Sequence, residues 1–219
     1  MIIEKNVNTL NIYFTLSLNV IIIVMTKNEL RKYIKAKLDE NKQNFTNESA
    51  GICNKILAEK WFKEAFVLLA FMPLPDEVDV LPVIKAALKL GKKVAVPRVE
   101  EPQKMHFYYL DDEVELKTQV EAGYYGISEP KTSGKQFCSG DDFDSVLVLV
   151  PGRAFTKNGA RLGRGKGFYD VFLKQLLEEC SAAGKKVYTI GVCFSCQVVD
   201  SVPTEPNDIF VDKIVSFSD

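Results

Sequence analysis

Apolar and polar positions alternate in blocks along the chain after Met25. Leu30, Tyr33, Ile34 and Leu38 recur at helical spacing, behind Thr26 and Glu29 at the spacing of a capping box, and predict a first helix. A second helix is predicted from about Thr46 to Lys60, with Ile52, Cys53, Ile56 and Leu57 on one face. The unbroken apolar run from Phe66 to Met72 reads as a strand buried on both faces, ended by Pro73 and Pro75. Asp79 is placed to cap a helix carrying Val83, Ile84, Ala87 and Leu88, which Gly91 closes. With the short strand Lys93 to Pro97 this makes a βαβ unit. A polar, hairpin-like stretch from Arg98 to Leu116 and a Gly123 to Pro130 loop lead to another buried strand, Ser145 to Val150. Phe172, Leu173, Leu176, Leu177 and Cys180 then mark a helix that Gly184 ends, and Lys186 to Phe194 and Ile209 to Phe217 are strand-like. Strands and helices interleaved in this way predict one α/β domain over residues 26–219, three layers α/β/α around a mainly parallel sheet.

Residues 1–25 break this rhythm. Leu10 to Met25 is apolar and uncharged, yet short for a membrane span and without a small-residue cleavage site. It reads as an N-terminal extension, either upstream of a translation start at Met25 or a targeting leader or anchor. The whole chain has 219 residues, 47% of them apolar, and 28 basic against 29 acidic residues. That balance offers no basic field for nucleic acid or an anionic membrane, so an anionic ligand must be held by a local cluster. Five cysteines, an odd number at irregular spacing, favour a reducing compartment and a cytoplasmic location. Cys193 and Cys196 form one redox-spaced pair and are read as structural. His106 is the single histidine, which rules out zinc sites built on several histidines and leaves any chemistry to carboxylates, lysine and arginine. It lies in an alternating run and is read as structural or as a surface residue.

The most informative segment lies between the strand ending at Val150 and the helix after Tyr169. In Arg161-Leu162-Gly163-Arg164-Gly165-Lys166-Gly167-Phe168-Tyr169-Asp170, glycines alternate with cationic side chains. Gly163, Gly165 and Gly167 let backbone N–H groups approach an anion, the following helix presents its positive end, and Arg161, Arg164 and Lys166 supply charge for phosphate oxygens. The spacing is neither the dinucleotide fingerprint nor a P-loop. A surface turn with scattered charge is the plainer alternative.

These ten residues closely resemble the signature of the 5-formyltetrahydrofolate cyclo-ligase (methenyltetrahydrofolate synthetase) family, and the resemblance runs from about residue 26 to 217. Lys27 and Arg31, Met72 with Asp76-Glu77-Val78-Asp79, Val96-Pro97-Arg98, Tyr125 to Pro130 and Asn207-Asp208 have counterparts in order. The resemblance implies an enzyme that uses ATP to close 5-formyltetrahydrofolate to 5,10-methenyltetrahydrofolate, releasing ADP and phosphate. It implies that Lys27, Arg31 and Arg161 through Tyr169 bind ATP, with Arg164 and Lys166 catalytic. Met72, Glu77, Tyr125 and the segment Arg164, Gly165, Lys166, Gly167 and Phe168 would meet the folate, and Asp170 and Asp208 would hold Mg2+. Read alone, Lys27 and Arg31 are equally a solvated helix face, Asp170 a helix-terminus acid and Asp208 a turn acid. Phe168, Val80 and Thr156 depart from the family's usual tyrosine, threonine and aspartate, which bears on affinity more than on reaction type. The partners implied are small molecules, with no nucleic acid or membrane, and a monomer is expected. A phosphosugar isomerase on a similar scaffold and a non-catalytic folate- or nucleotide-binding paralogue remain the alternatives.

Overall fold

In the computed structural model, residues 25–100, 104–123, 126 and 128–218 are described, together with the backbone of two dipeptides of the extension. Those dipeptides, β1 (Ile12–Tyr13) and β2 (Ile22–Ile23), pair antiparallel. Helix α1 (Lys27–Asn41) starts at the anticipated capping box, with the Thr26 side chain accepting from the Glu29 N–H and the Glu29 carboxylate accepting from the Thr26 N–H at 2.8 Å. Leu30, Ile34 and Leu38 are buried, but Tyr33 is exposed. One residue short of Ile34, it sits about 100° round the helix from the buried i, i+4 line, where its ring faces the Lys37 ammonium at 5.8 Å.

Helices α2 (Phe45–Ala58) and α3 (Lys60–Glu64) follow, then strand β3 (Val67–Leu69), helix α4 (Leu81–Lys89) and strand β4 (Lys93–Glu100). Gly91, at φ 74°, turns the chain between the last two, and β3 and β4 are parallel. Strand β4 runs past Pro97 to Glu100 because β5 (Lys104–Tyr109) pairs with it antiparallel, Arg98 opposite His106. His106 Nδ1 lies 2.8 Å from Gln136 Nε2, on the edge of the sheet. The intervening α5 (Leu116–Gln119), β6 (Val120–Ala122) and β7 (Ser128–Pro130) form a small flap whose two strands pair antiparallel. Then come β8 (Ser145–Pro151), the ribbon β9 (Ala154–Phe155) with β10 (Arg161–Leu162), α6 (Phe168–Ala182), β11 (Lys186–Val192) and β12 (Lys213–Val215).

The main sheet has the order β12-β11-β8-β3-β4-β5 and is parallel except for β5. Its residues alternate between two cores. Leu68, Val94, Leu147 and Ile190 face α1 to α4, whereas Val67, Ala95, Val146 and Val148 face α6 and Phe107. That is the three-layer arrangement anticipated from the sequence. Strand β12 is shorter than the Ile209 to Phe217 expectation because its approach is committed to other bonds. Val211 N–H donates to the Gly159 carbonyl at 2.9 Å, and the Asp212 carboxylate accepts from Thr189 N–H and Oγ1 at 2.8 Å. Cys193 is buried and Cys196 half-buried, consistent with structural roles. No helix among the described residues is long and apolar enough to cross a membrane.

Candidate functional site

Strands β3 and β8 are neighbours, but the chain leaves β3 toward β4 and leaves β8 toward β11, in opposite directions. The carboxyl ends of such a strand pair open a crevice that no crossover fills, which is where α/β sheets hold ligands. A cavity of about 860 Å³ lies there. Lys27, Arg31, Met72, Glu77, the whole stretch Arg161 to Asp170, and Asp208 line it. Tyr125 lies outside the described residues.

The glycine loop forms the floor. Gly165 and Gly167 adopt φ 101° and 74°, values that disfavour any side chain. A Cβ on Gly165 would also come within 3.3 Å of the Arg31 guanidinium. Gly167 immediately precedes α6, which begins at Phe168, earlier than the Phe172 stripe suggested, so the first-turn N–H groups of a fifteen-residue helix open on the loop. Arg31 ties the loop to α1 by donating from Nε to the Gly163 carbonyl at 2.9 Å. Lys166 and Arg164 are exposed on the loop, whereas Arg161 and Leu162 are buried.

Burial gives Arg161 a different place from the phosphate arm anticipated for it. Its Nη2 donates to Asp170 Oδ1 at 2.8 Å, its Nη1 to the Pro151 carbonyl at 3.3 Å, and its guanidinium lies 5.7 Å from the Tyr169 ring. Arg161 Nε and the Tyr169 hydroxyl are buried with no partner among the described residues, an uncommon state for groups that strong. Burial, reinforced by the charge of Glu77 and opposed by that of Arg161, raises the Tyr169 phenol far above its ordinary pKa. Phe168 packs beneath the loop against the α6-side core, so the missing hydroxyl leaves an apolar wall.

On the opposite side, Lys27 Nζ donates to both Asp208 oxygens, at 3.0 and 2.7 Å, and lies 3.5 Å from Glu205. Burial raises the Asp208 pKa, but the Lys27 ammonium, the Glu205 N–H and the Arg161 charge outweigh it, so the carboxyl is held below its ordinary value. Asp170 Oδ1 also accepts from the N–H of Ile209 at 3.3 Å, which brings Asp170 beside the residue that follows Asp208. The two aspartates thus share one wall, and both carboxylates are partnered by a cation. Glu77 is held by its own loop and by the glycine loop: its Oε2 accepts from Leu74 N–H at 3.1 Å and its Oε1 from Arg164 Nε and Nη2 at 3.0 and 2.8 Å. Met72, at the end of the β3 segment, supplies apolar wall.

Two further residues join this array, Asp76, which the resemblance includes in a matching segment without a role of its own, and Arg153. Asp76 pairs with Arg164 Nη2 at 2.6 Å and with Arg153 Nη1 at 2.5 Å. Nothing in the sequence relates Arg153 to this loop. The cavity therefore has a cationic, glycine-lined end and an end walled by Met72, Phe71 and Phe168, dimensions and chemistry suited to a ligand with several anionic oxygens and a flat body.

A model of the 5-formyltetrahydrofolate cyclo-ligase family matches residues 24–216. The 5-formyltetrahydrofolate cyclo-ligase of Mus musculus is 28% identical over 205 residues, covering 87% of this chain and 95% of the relative. The mitochondrial enzyme of that name from Arabidopsis thaliana is also 28% identical, over 214 residues, 88% of this chain and 73% of the relative. Among solved structures, the 5,10-methenyltetrahydrofolate synthetase of Aquifex aeolicus superposes with a TM-score of 0.70 at 30% identity, covering 89% of this chain and 91% of that one. The parallel sheet, the signature loop at its switch point and a match over nearly all of the described domain agree: this chain belongs to the 5-formyltetrahydrofolate cyclo-ligase family.

Proposed function

We propose that the protein converts 5-formyltetrahydrofolate and ATP to 5,10-methenyltetrahydrofolate, ADP and phosphate. The observation that carries this reading is the meeting, in one cavity of a chain of this family, of the glycine loop Gly163 to Gly167 with Glu77 on the facing loop. A formyl oxygen leaves poorly as hydroxide. Its attack on the γ-phosphorus expels ADP and makes it a phosphate ester; the N10 lone pair then attacks the formyl carbon, the N10 proton departs, and the C–O bond breaks to release phosphate. Such a transfer asks mainly for positioning and charge neutralisation.

We assign the triphosphate to the loop N–H groups, the start of α6, Lys166 and Arg164, with Lys27 and Arg31 closing from α1. Arg161, buried, holds Asp170 and the loop base in place rather than reaching a phosphate. Leu162 and Tyr169 support the same floor. Glu77, with Met72, the loop segment and Phe168, takes the folate, the carboxylate accepting from pterin N–H groups. Asp170 and Asp208 are oxygen donors on one wall, the hard donor set that suits magnesium when phosphates and water complete its shell. Bound there, Mg2+ would neutralise phosphate charge; Arg161 and Lys27 hold the two carboxylates in place.

The family match starting at residue 24 supports taking 26–219 as the catalytic domain and 1–25 as an extension. A monomer and a cytoplasmic location remain our reading, the latter of a cysteine pattern without a disulfide framework. The test is an absorbance assay for methenyltetrahydrofolate with and without ATP, with ADP quantified. One ADP per product supports the reading; product formed equally without ATP, or none with it, overturns it. Sugar-phosphate isomerisation without nucleotide would install the rival enzyme class.

A further inference from the structure

Across the cavity mouth runs a ladder of four alternating charges: Arg153, Asp76, Arg164, Glu77. Asp76 Oδ2 accepts from Arg153 Nη1 at 2.5 Å, and Asp76 Oδ1 accepts from Arg164 Nη2 at 2.6 Å. Glu77 Oε1 accepts from Arg164 Nε and Nη2 at 3.0 and 2.8 Å. Glu77 and Arg164 line the cavity; Asp76 and Arg153 stand behind them. We propose that Asp76 is a positioning residue, which aims Arg164 at the phosphoryl group in transfer. This rests on the ATP-dependent reading above.

The geometry carries the inference in two ways. Arg164 projects from a loop whose neighbours Gly163 and Gly165 give it little rigidity, and an arginine side chain held by nothing samples many rotamers. Two carboxylates on the Nε and Nη2 edge of the planar guanidinium fix its plane and leave Nη1 used by neither. The second point is charge. A lone aspartate would cancel the cation it holds, spoiling it for an anionic ligand. Asp76 shares its charge with Arg153 on the other oxygen, so this second anchor adds no net negative charge to the Arg164–Glu77 pair it steadies. Burial raises the Asp76 pKa, but the two arginines more than offset this and keep it below the ordinary carboxylate value. The anchor is therefore a carboxylate at neutral pH.

A positioning role predicts a loss in kcat, with KM for ATP and folate little changed. Asp76→Asn keeps the side chain's outline, and kcat for methenyltetrahydrofolate formation should fall about tenfold while each KM stays within about twofold. Asp76→Glu, which can reach the same two arginines, should recover part of it. A second measurement is independent of turnover. Trypsin cleavage after Arg164 and Lys166, read by mass spectrometry, should quicken severalfold in Asp76→Asn at a temperature where both proteins are folded. Unchanged kcat with unchanged cleavage, or equal losses in Asp76→Glu and Asp76→Asn, would overturn the proposal. If wild type makes no product with ATP but Asp76→Asn still loosens the loop, the anchor stands and the assigned reaction fails.

Discussion

Replacing Asp170 with asparagine preserves the shape of the side chain and removes its charge, leaving Arg161 without the carboxylate that holds it. The Arg161 side chain is only 4% exposed and Asp170 23%, and their contact is 2.8 Å. Removing one partner of a fully buried pair typically costs about 3–5 kcal/mol, because the remaining charge stays desolvated. Two features reduce that figure here. Asp170 is partly solvated, and the asparagine Oδ1 can still accept from Arg161 Nη2 and Ile209 N–H, so the loss is that between a charged and a neutral hydrogen bond plus part of the desolvation, about 2 kcal/mol. For a chain of this size that lowers Tm by about 4–8 °C. Urea unfolding followed by circular dichroism measures it directly. Asp208→Asn, whose partner Lys27 is 22% exposed, should cost less, about 1 kcal/mol. An Asp170→Asn protein within about 0.5 kcal/mol of wild type would refute the view that this pair organises the site. The stability term also bears on magnesium: activity of Asp170→Asn has to be compared well below its melting range, with Mg2+ titrated, before any deficit is assigned to the metal.

Lys166→Ala should lower kcat by about 10²–10³, the usual effect of removing one charge-stabilising donor, with Tm close to wild type because the residue is exposed; activity near wild type would remove it from the catalytic assignment. Glu77→Gln should raise KM for folate several times more than KM for ATP, and the reverse split would move the folate elsewhere. Burial raises the pKa values of Asp76 and of Asp141, which accepts from Lys135 Nζ at 2.7 Å and from Cys138 N–H at 3.1 Å, but their partners outweigh it and hold both below the ordinary value. Their contribution is thus complete above the unfolded value of about 3.9 and lost as pH falls through the lower folded value. Urea midpoints at pH 6 and 3.5 should therefore differ less in an Asp76→Asn, Asp141→Asn double variant than in wild type, and an equal drop would deny these groups the role. Gly159→Ala should cost at least about 2 kcal/mol, since Gly159 sits at φ 88° and a Cβ would meet the Val211 carbonyl oxygen at 2.1 Å; a neutral effect on the urea midpoint would show that the Gly159–Val211 contact yields freely.

What the sequence disclosed and what it withheld divide by range. Strand β8 and the capping box of α1 are written in local periodicity and turn chemistry and form where expected; β3 is only the Val67–Leu69 part of the Phe66 to Met72 run, and α4 starts with Val80, not Asp79, at its N-cap, although the Asp79 carboxylate accepts from the Leu81 N–H. The glycine loop is legible too, as an alternation of small and cationic residues that suits an anion site. The antiparallel extension of β4 was hidden because pairing with β5, not the residues beyond Pro97, makes it a strand. Arg161, Arg164 and Lys166 look alike in sequence, yet one is buried against Asp170, one bridges Asp76 and Glu77, and one is exposed on the loop. Only the folded partners distinguish them. Lys27 opposite Asp208, and Arg153 behind Asp76, join positions that no local rule relates.

The Lys27–Asp208 contact spans 181 residues, from the first turn of α1 to the approach of β12. During synthesis the N-terminal partner emerges long before its acid leaves the ribosome, and nucleation favours the shorter-range β3 to β4 pairing. The nascent chain therefore passes through a stage in which most of its sheet exists but the Lys27–Asp208 end of its cavity does not. On the proposed ATP-binding reading, a nucleotide bound across this seam would stabilise only the finished chain, so the cell's nucleotide pool would protect complete molecules over those cut short before Asp208.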